Sequence, residues 1–180
     1  MAILGLDIST SCTGWCVTTD TGVLVEMGYV KLSRIGSVLG KAAAMKQSLE
    51  ELNKAHQIDR IVIEENLQAF RPGFSSAKTL MCLARFNGIV SYICKEVFDL
   101  EPEYINVNVA RKSVGIKIDR KSEVTTKDQI LNWAQDHLKS RDYQWPTKIL
   151  KSGPRKNQEI LDPCCYDMAD ALVVCTAACV

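Results

Sequence analysis

No apolar run in this 180-residue chain approaches the ~20 residues of a membrane span, so a bilayer-crossing helix is excluded and no membrane partner is expected. The first residues lack a basic n-region and a long apolar h-region. They do not read as a secretory signal, and the chain is expected in the cytoplasm. None of the eight cysteines (Cys12, Cys16, Cys82, Cys94, Cys164, Cys165, Cys175, Cys179) stands in a Cys-x-x-Cys pair. In a chain without a secretory signal they read as reduced, buried small hydrophobes. A zinc site from Cys175 and Cys179, one helical turn apart, with Cys164 or Cys165, fits no known ligand spacing. Internal repeats and low-complexity segments are also absent.

What is present is the composition of an ordinary globular protein, 47% apolar and 24% charged, long enough to bury a core as one domain over residues 1–180. The net charge of +1 hides an asymmetry: residues 111–156 hold twelve Lys/Arg against five Asp/Glu. A local basic stretch in a near-neutral chain is a candidate phosphate-binding face; a merely solvated surface is the other reading of the same charges.

The apolar pattern predicts strands over Ala2–Leu6, Thr13–Thr19 and Val23–Leu32, with Thr21-Gly22 as a hairpin turn. A helix is predicted over Gly36–His56, with Val38, Leu39, Ala42, Met45, Leu49 and Leu52 at helical spacing. Arg60–Ile63 reads as a buried central strand ending on Glu64 and Glu65. A loop follows over 66–74, then a long helix over Ser75–Phe98 with a core stripe of Leu80, Leu83, Ala84, Ile89, Val90 and Ile93. Met81, Cys82, Phe86 and Tyr92 fall off that stripe, which leaves a second apolar surface. Next come a strand over Glu103–Val107, one or two helical turns over Val109–Val114, and a helix over Thr125–Leu138. A long basic loop is predicted at about 140–160, then a helix capped by Asp162 with Pro163 at its first position, running to about Ala178. A meander followed by β–α units makes an α/β fold: a mixed five-stranded sheet, antiparallel meander plus parallel strands, flanked by helices.

Asp7 interrupts the first strand, and period-2 alternation puts it on one face with Gly5 and Ser9. A carboxylate there costs several kcal/mol unless it is paired or holds a metal; alternatively it starts a turn with Ser9 and Thr10. Glu64 ends an inner strand, the usual place for a site in an open α/β sheet. Asp167 and Asp170 are three apart on the last helix and project from one face among apolar neighbours. The helix dipole accounts for an early Asp167 but not for Asp170. Converging carboxylates with few basic partners suit hard divalent cations such as Mg²⁺ or Mn²⁺, and two such ions are the usual device for phosphodiester hydrolysis.

The segments LGLDISTSCTGWCV, IVIEENLQAF and YDMADALVV resemble the three catalytic segments of the RuvC-type Holliday junction resolvases, within the RNase H-like superfamily. LARFNGIV, TTKDQI and NVARKSVGIK resemble further family stretches. The resemblance covers Ala2 to about Thr176 and is most specific in D-x-x-D-A-L. It implies a homodimer that resolves four-way DNA junctions by paired nicks, with two Mg²⁺ ions per site and Mn²⁺ as a substitute. It places Asp7, Glu64, Asp167 and Asp170 on the metals, with Glu65 as the alternative to Glu64, and Lys127 near the scissile phosphate. It implies DNA contacts at Phe70, Arg71, Phe74, Lys78, Arg85, Arg111, Lys112, Lys117 and Lys121, with Phe70 or Phe74 as a wedge at the junction centre. A bacterial or phage-infected cytoplasm is the implied setting. The loop after Glu64 is longer than in typical bacterial members, and the basic loop at 140–160 is an extension.

Other classes compete. D-I-S-T-S-x-T-G also resembles the first phosphate motif of actin-like and sugar-kinase ATPases, but those need a second domain and a Gly-rich adenosine motif that is not found here. A DNA-binding module without catalysis is disfavoured because all four carboxylates are present. A branched-DNA or flap nuclease of relaxed specificity shares the same metal motifs, which do not encode substrate shape.

Overall fold

The computed structural model describes residues 1–65 and 77–180. Three strands open it, β1 (Ala2–Asp7), β2 (Cys12–Thr19) and β3 (Leu24–Lys31), followed by α1 (Val38–Ala55), β4 (Arg60–Glu64), α2 (Ala77–Phe98) and β5 (Glu103–Ile105). Then come α3 (Val107–Ser113), α4 (Thr126–Leu138), a short hairpin of β6 (Thr147–Ile149) and β7 (Glu159–Leu161), and α5 (Cys164–Ala177). The main sheet has five strands in the order β3-β2-β1-β4-β5. β1–β3 form the antiparallel meander, while β4 lies parallel to β1 and β5 parallel to β4. This is the mixed sheet that the strand pattern predicts.

Alternation along β1 divides the core. Leu4, Leu6 and Ile8 join Val17, Ile61 and Ile63 beneath α1 and α2. Ile3 joins Cys16 and Val62 on the opposite face, beneath α3, α4 and α5. Each large apolar side chain so buried contributes about 1.5–3 kcal/mol.

The β1–β2 turn is tied by one residue. Ser9 Oγ accepts from the backbone N–H groups of Ser11 and Cys12 at 3.2 and 3.3 Å, and the Thr13 hydroxyl donates to the Ser9 carbonyl at 3.2 Å. Ser37 caps α1 by accepting from Gly40 N–H at 2.9 Å. At the start of α5, Asp162 Oδ1 accepts from Cys164 N–H at 3.0 Å, and Pro163 needs no donor there.

Two glycines decide how close α5 lies to the sheet. A Cβ on Gly5 would stand 2.8 Å from Cys175 Cβ and 2.9 Å from the Ala171 carbonyl oxygen. A Cβ on Gly14 would overlap the Asp167 carbonyl and stand 2.7 Å from Met168 N. Gly14 is the register partner of Asp7. The contact that seats α5 therefore sits across one strand pair from the first acid.

Three expectations need correction. The 140–160 stretch is not one open loop: it contains a 3₁₀ turn over Lys139–Arg141 and the β6–β7 hairpin, whose chain reversal uses positive φ at Gly153 and Asn157. Phe86 lies in the core of α2 at 0% exposure, in a stripe with Val90, Ile93 and Cys94, whereas Ala84 is exposed and Leu80 and Leu83 are half-buried. The buried stripe of α2 is set by its packing against α1 and the sheet in the second core cluster. In α1, Leu39 is exposed; its stripe begins at Ala42. The expected loop at 66–74 lies outside the described residues.

Gly14→Ala should destabilise the protein by about 3 kcal/mol, the upper end for overpacking, because the clash is with helix backbone that cannot rotate away. Urea unfolding measures this, and a change below about 1 kcal/mol would show that α5 has room to move.

Candidate functional site

Three elements bring the acids together. β1 and β4 are parallel neighbours, so Asp7 and Glu64, each the last residue of its strand, finish at the same edge of the sheet. α5 crosses over β1 and β2 on the Gly5 and Gly14 contacts and presents Asp167 and Asp170 to that edge. All four residues are half-buried rather than surface acids.

Their titration reflects this crowding. Burial, then the neighbouring Glu64, Asp170 and Asp167, holds the Asp7 carboxyl well above the ordinary carboxylate range, and Lys127 offsets only part of this. Burial and Asp170 push Glu64 up to about 7 against the pull of Arg111. Asp167 and Asp170 are raised mainly by burial. The Arg111 guanidinium donates to Asp170 Oδ1 at 3.2 Å, and both side chains are largely buried. Arg111 Nε is buried without a hydrogen-bond partner among the described residues.

Lys127 is placed by its own helix start. Thr125 Oγ1 accepts from Asp128 N–H at 3.2 Å and donates to Asp128 Oδ2 at 2.6 Å, while the Tyr166 hydroxyl donates to Asp128 Oδ1 at 2.6 Å. These bonds fix the first turn of α4 against α5. Lys127 Nζ lies 5.9 Å from the centre of the Tyr166 ring. The ammonium lines a cavity of about 310 Å³ with Ser11, Cys12, Lys31, Lys148 and Asp167.

Two cations, Arg111 and Lys127, thus face four carboxylates whose burial penalises every negative charge. An all-oxygen donor set with surplus negative charge fits a hard divalent cation. Among the described residues, the ligand atoms of Cys12, Cys164 and Asp167 lie within 4.8 Å of one another. Burial holds the Cys12 and Cys164 thiols above their ordinary range, so they remain protonated. The Cys12 thiol beside Asp167 offsets part of the rise that burial imposes on that carboxyl. The sequence gives no sign of this contact, since Cys12 and Asp167 meet only through the β2–α5 packing. Cys175 instead contacts Thr18 Oγ1 at 3.2 Å, on the sheet side of α5, away from the Asp162 turn where Cys164 and Cys165 lie.

The expected DNA contacts distribute unevenly. Lys112, Lys117 and Lys121 are exposed on α3 and the segment after it. Lys78 and Arg85 are exposed on α2, where they line a separate cavity with Met81 and Cys82. Arg111 points inward to Asp170. Phe70, Arg71 and Phe74 lie outside the described residues.

No family model matches the sequence. The RuvC crossover junction endodeoxyribonuclease of Aliarcobacter butzleri is 30% identical over 118 residues, 64% of this chain and 73% of that protein. The chain belongs to the RuvC family. The RuvC of a Sulfurovum species is 27% identical over 118 residues, 64% of this chain and 70% of that protein. Among solved structures, T. thermophilus RuvC in complex with Holliday junction substrate matches with a TM-score of 0.63 at 14% identity, covering 98% of this chain and 91% of the other. That likeness shows a shared fold. Asp7, Glu64 and the Asp167–Asp170 pair thus stand in a RuvC-family chain on the fold that the family adopts.

Because a raised carboxyl pKa means the folded state holds its proton more tightly than the unfolded chain, its stabilising effect is present below the unfolded pKa. It is lost as pH rises through the folded value, about 7 for Glu64. Relative to Asp7→Asn, the metal-free wild type should therefore lose stability between pH 5 and pH 8. At pH 8 the variant should melt about 4 °C higher, and millimolar Mn²⁺ should raise the melting temperature of the wild type only. Equal melting curves for both proteins at pH 8, with and without Mn²⁺, would contradict the assigned cluster.

Proposed function

We propose that this chain is a crossover junction endodeoxyribonuclease that hydrolyses phosphodiester bonds in four-way DNA junctions, acting as one nuclease domain over residues 1–180. The observation that carries this reading is the convergence of Asp7, Glu64, Asp167 and Asp170 at the ends of parallel strands, beside Lys127, in a RuvC-family chain. Glu64 is favoured over Glu65 as a ligand because Asp170 and Arg111 both act on its carboxyl.

In this reading the four carboxylates hold two Mg²⁺ ions, with Mn²⁺ as a substitute. When bound there, divalent cations would acidify a water and stabilise the leaving 3′ oxygen, so that hydrolysis would leave 5′-phosphate and 3′-hydroxyl ends. The protein's own groups supply placement. Arg111 holds Asp170 in one orientation. Lys127 offers a cation at the open side of the cluster, where charge on the scissile phosphate grows. Lys112, Lys117 and Lys121 neutralise flanking phosphates, and Phe70 or Phe74 enters the junction centre. A buried carboxylate cluster that must be open to DNA at one edge explains why burial and a basic rim occur together.

A four-way junction has near two-fold symmetry and needs two opposed nicks, which suits a C2 homodimer. Met81 at 73% and Tyr92 at 68% exposure, with exposed Ala84, leave an apolar face on α2, and this face is the proposed dimer contact. Sedimentation equilibrium at micromolar concentration should give a dimer; a strict monomer that still makes paired, symmetric nicks would overturn it.

Incubation with a synthetic four-way junction, a fork and a linear duplex, each with Mg²⁺ or with EDTA, tests the activity. Symmetric nicking of the junction alone, blocked by EDTA, is expected. Equal cutting of the fork would favour a flap nuclease of relaxed specificity. Asp170→Asn should lower the cleavage rate by more than the roughly 10–100-fold typical of outer-shell metal partners, with junction binding kept, since affinity rests on phosphate contacts elsewhere. A near wild-type rate would show that the metal site is assigned to the wrong residues.

A further inference from the structure

The β6–β7 hairpin carries the largest positive charge that the carboxylate site leaves unused. Lys148, Lys151, Arg155 and Lys156 stand on it against one acid, Glu159, which accepts a hydrogen bond from the Thr147 hydroxyl. None of these four cations takes part in an ion pair formed among the described residues. The hairpin is a two-stranded sheet of its own, and its energetics explain why it keeps a defined shape. At its root, Asp162 N–H donates to the Pro146 carbonyl at 2.9 Å and the Cys165 thiol donates to the same oxygen at 3.3 Å. Toward the tip, Leu150 N–H donates to Gln158 O at 3.0 Å and Asn157 N–H donates to Leu150 O at 2.8 Å. Residues 151–157 are all exposed. The root of the arm packs Leu161 against the core, while the charge at its tip stands free in solvent, open to a partner.

The root connects this arm to the candidate active site. Lys148 lines the same cavity as Lys127 and Asp167, so one basic wall runs from the carboxylates onto the hairpin. Lys31, across that cavity, is bound to Asp162 Oδ2 at 2.9 Å and so braces the root rather than competing for ligand. The hairpin has no aromatic side chain between 147 and 161 on which a base could stack. Its chemistry is that of sequence-independent phosphate contact.

We propose that the β6–β7 hairpin is a DNA-binding arm: Lys148 contacts the backbone beside the scissile phosphate, and Lys151, Arg155 and Lys156 hold the duplex leading away from it. This deepens the junction-nuclease reading and rests on it for the direction in which DNA leaves the site. Even fully extended, the chain from Lys148 to Gly153 reaches at most roughly 17 Å, the length of about five base pairs at 3.4 Å each. The arm therefore grips the base pairs next to the cut and not the far end of the junction arm.

The test is fluorescence anisotropy of a four-way junction, in EDTA and across a salt series, with the full-length wild type and a K151A/R155A/K156A variant. A melting curve checks that the exposed substitutions leave the fold intact. The variant should bind roughly tenfold more weakly, and its salt slope should be smaller by about three, one unit per lost phosphate contact. A charge-retaining K151R/R155K/K156R variant should bind and respond to salt as the wild type does, which a loss of structure in the alanine variant would not predict. An unchanged affinity and salt slope would overturn the proposal. If the variant loses binding while the wild type nicks no junction, the arm stands and the nuclease reading falls; a wild type that nicks junctions alongside a variant that binds equally well gives the reverse.

Discussion

Four carboxylates held close together away from bulk water repel one another, and everything else around them is arranged to keep them there. The force that overcomes the repulsion is the packing of α5 (Cys164–Ala177) across β1 and β2, a helix that buries ten of its residues. It approaches as closely as it does because Gly5 and Gly14 present no side chains to it. The same contact that completes the apolar core therefore delivers Asp167 and Asp170 to Asp7. In the metal-free protein this is a stored cost, visible as carboxyl groups that hold their protons to unusually high pH. A divalent cation bound there, as proposed, would offset that cost and so stabilise the folded state.

The neighbouring groups adjust this balance without cancelling it. Arg111 comes from α3, Lys127 from α4 and Cys12 from β2. A single ion pair, Arg111 to Asp170, keeps one carboxylate fixed and leaves the rest of the cluster electronegative. Lys127 stands at the solvent side on a helix start locked by Thr125, Asp128 and Tyr166. Fuller neutralisation by protein cations would make a more stable fold and a poorer metal site.

Much of this architecture was legible in the residues. The period-2 pattern of β1 assigns Gly5 and Asp7 to one face and Leu4 and Leu6 to the other, and the two core clusters follow that division. The fully apolar Ile61–Ile63 reads as a central strand and is one. Legibility failed where a partner surface decides the outcome. The core stripe of α2 is rotated to Phe86, Val90, Ile93 and Cys94, which the packing partners on α1 and the sheet decide. The β6–β7 hairpin escaped notice because strands of three residues carry no periodicity. At the site, the acids announce themselves by standing in apolar segments. The inward turn of Arg111 and the Cys12–Asp167 contact depend on helix placement, which spacing along the chain does not encode.

The proposed role of Asp7, Glu64, Asp167 and Asp170 is to hold divalent metal together. Anomalous diffraction from crystals soaked in Mn²⁺ tests it most directly. The account predicts two strong peaks among these four carboxylates in the wild type and loss of at least one in Asp7→Asn. Absence of any peak there, or a peak at Cys12 and Cys164 instead, would contradict it.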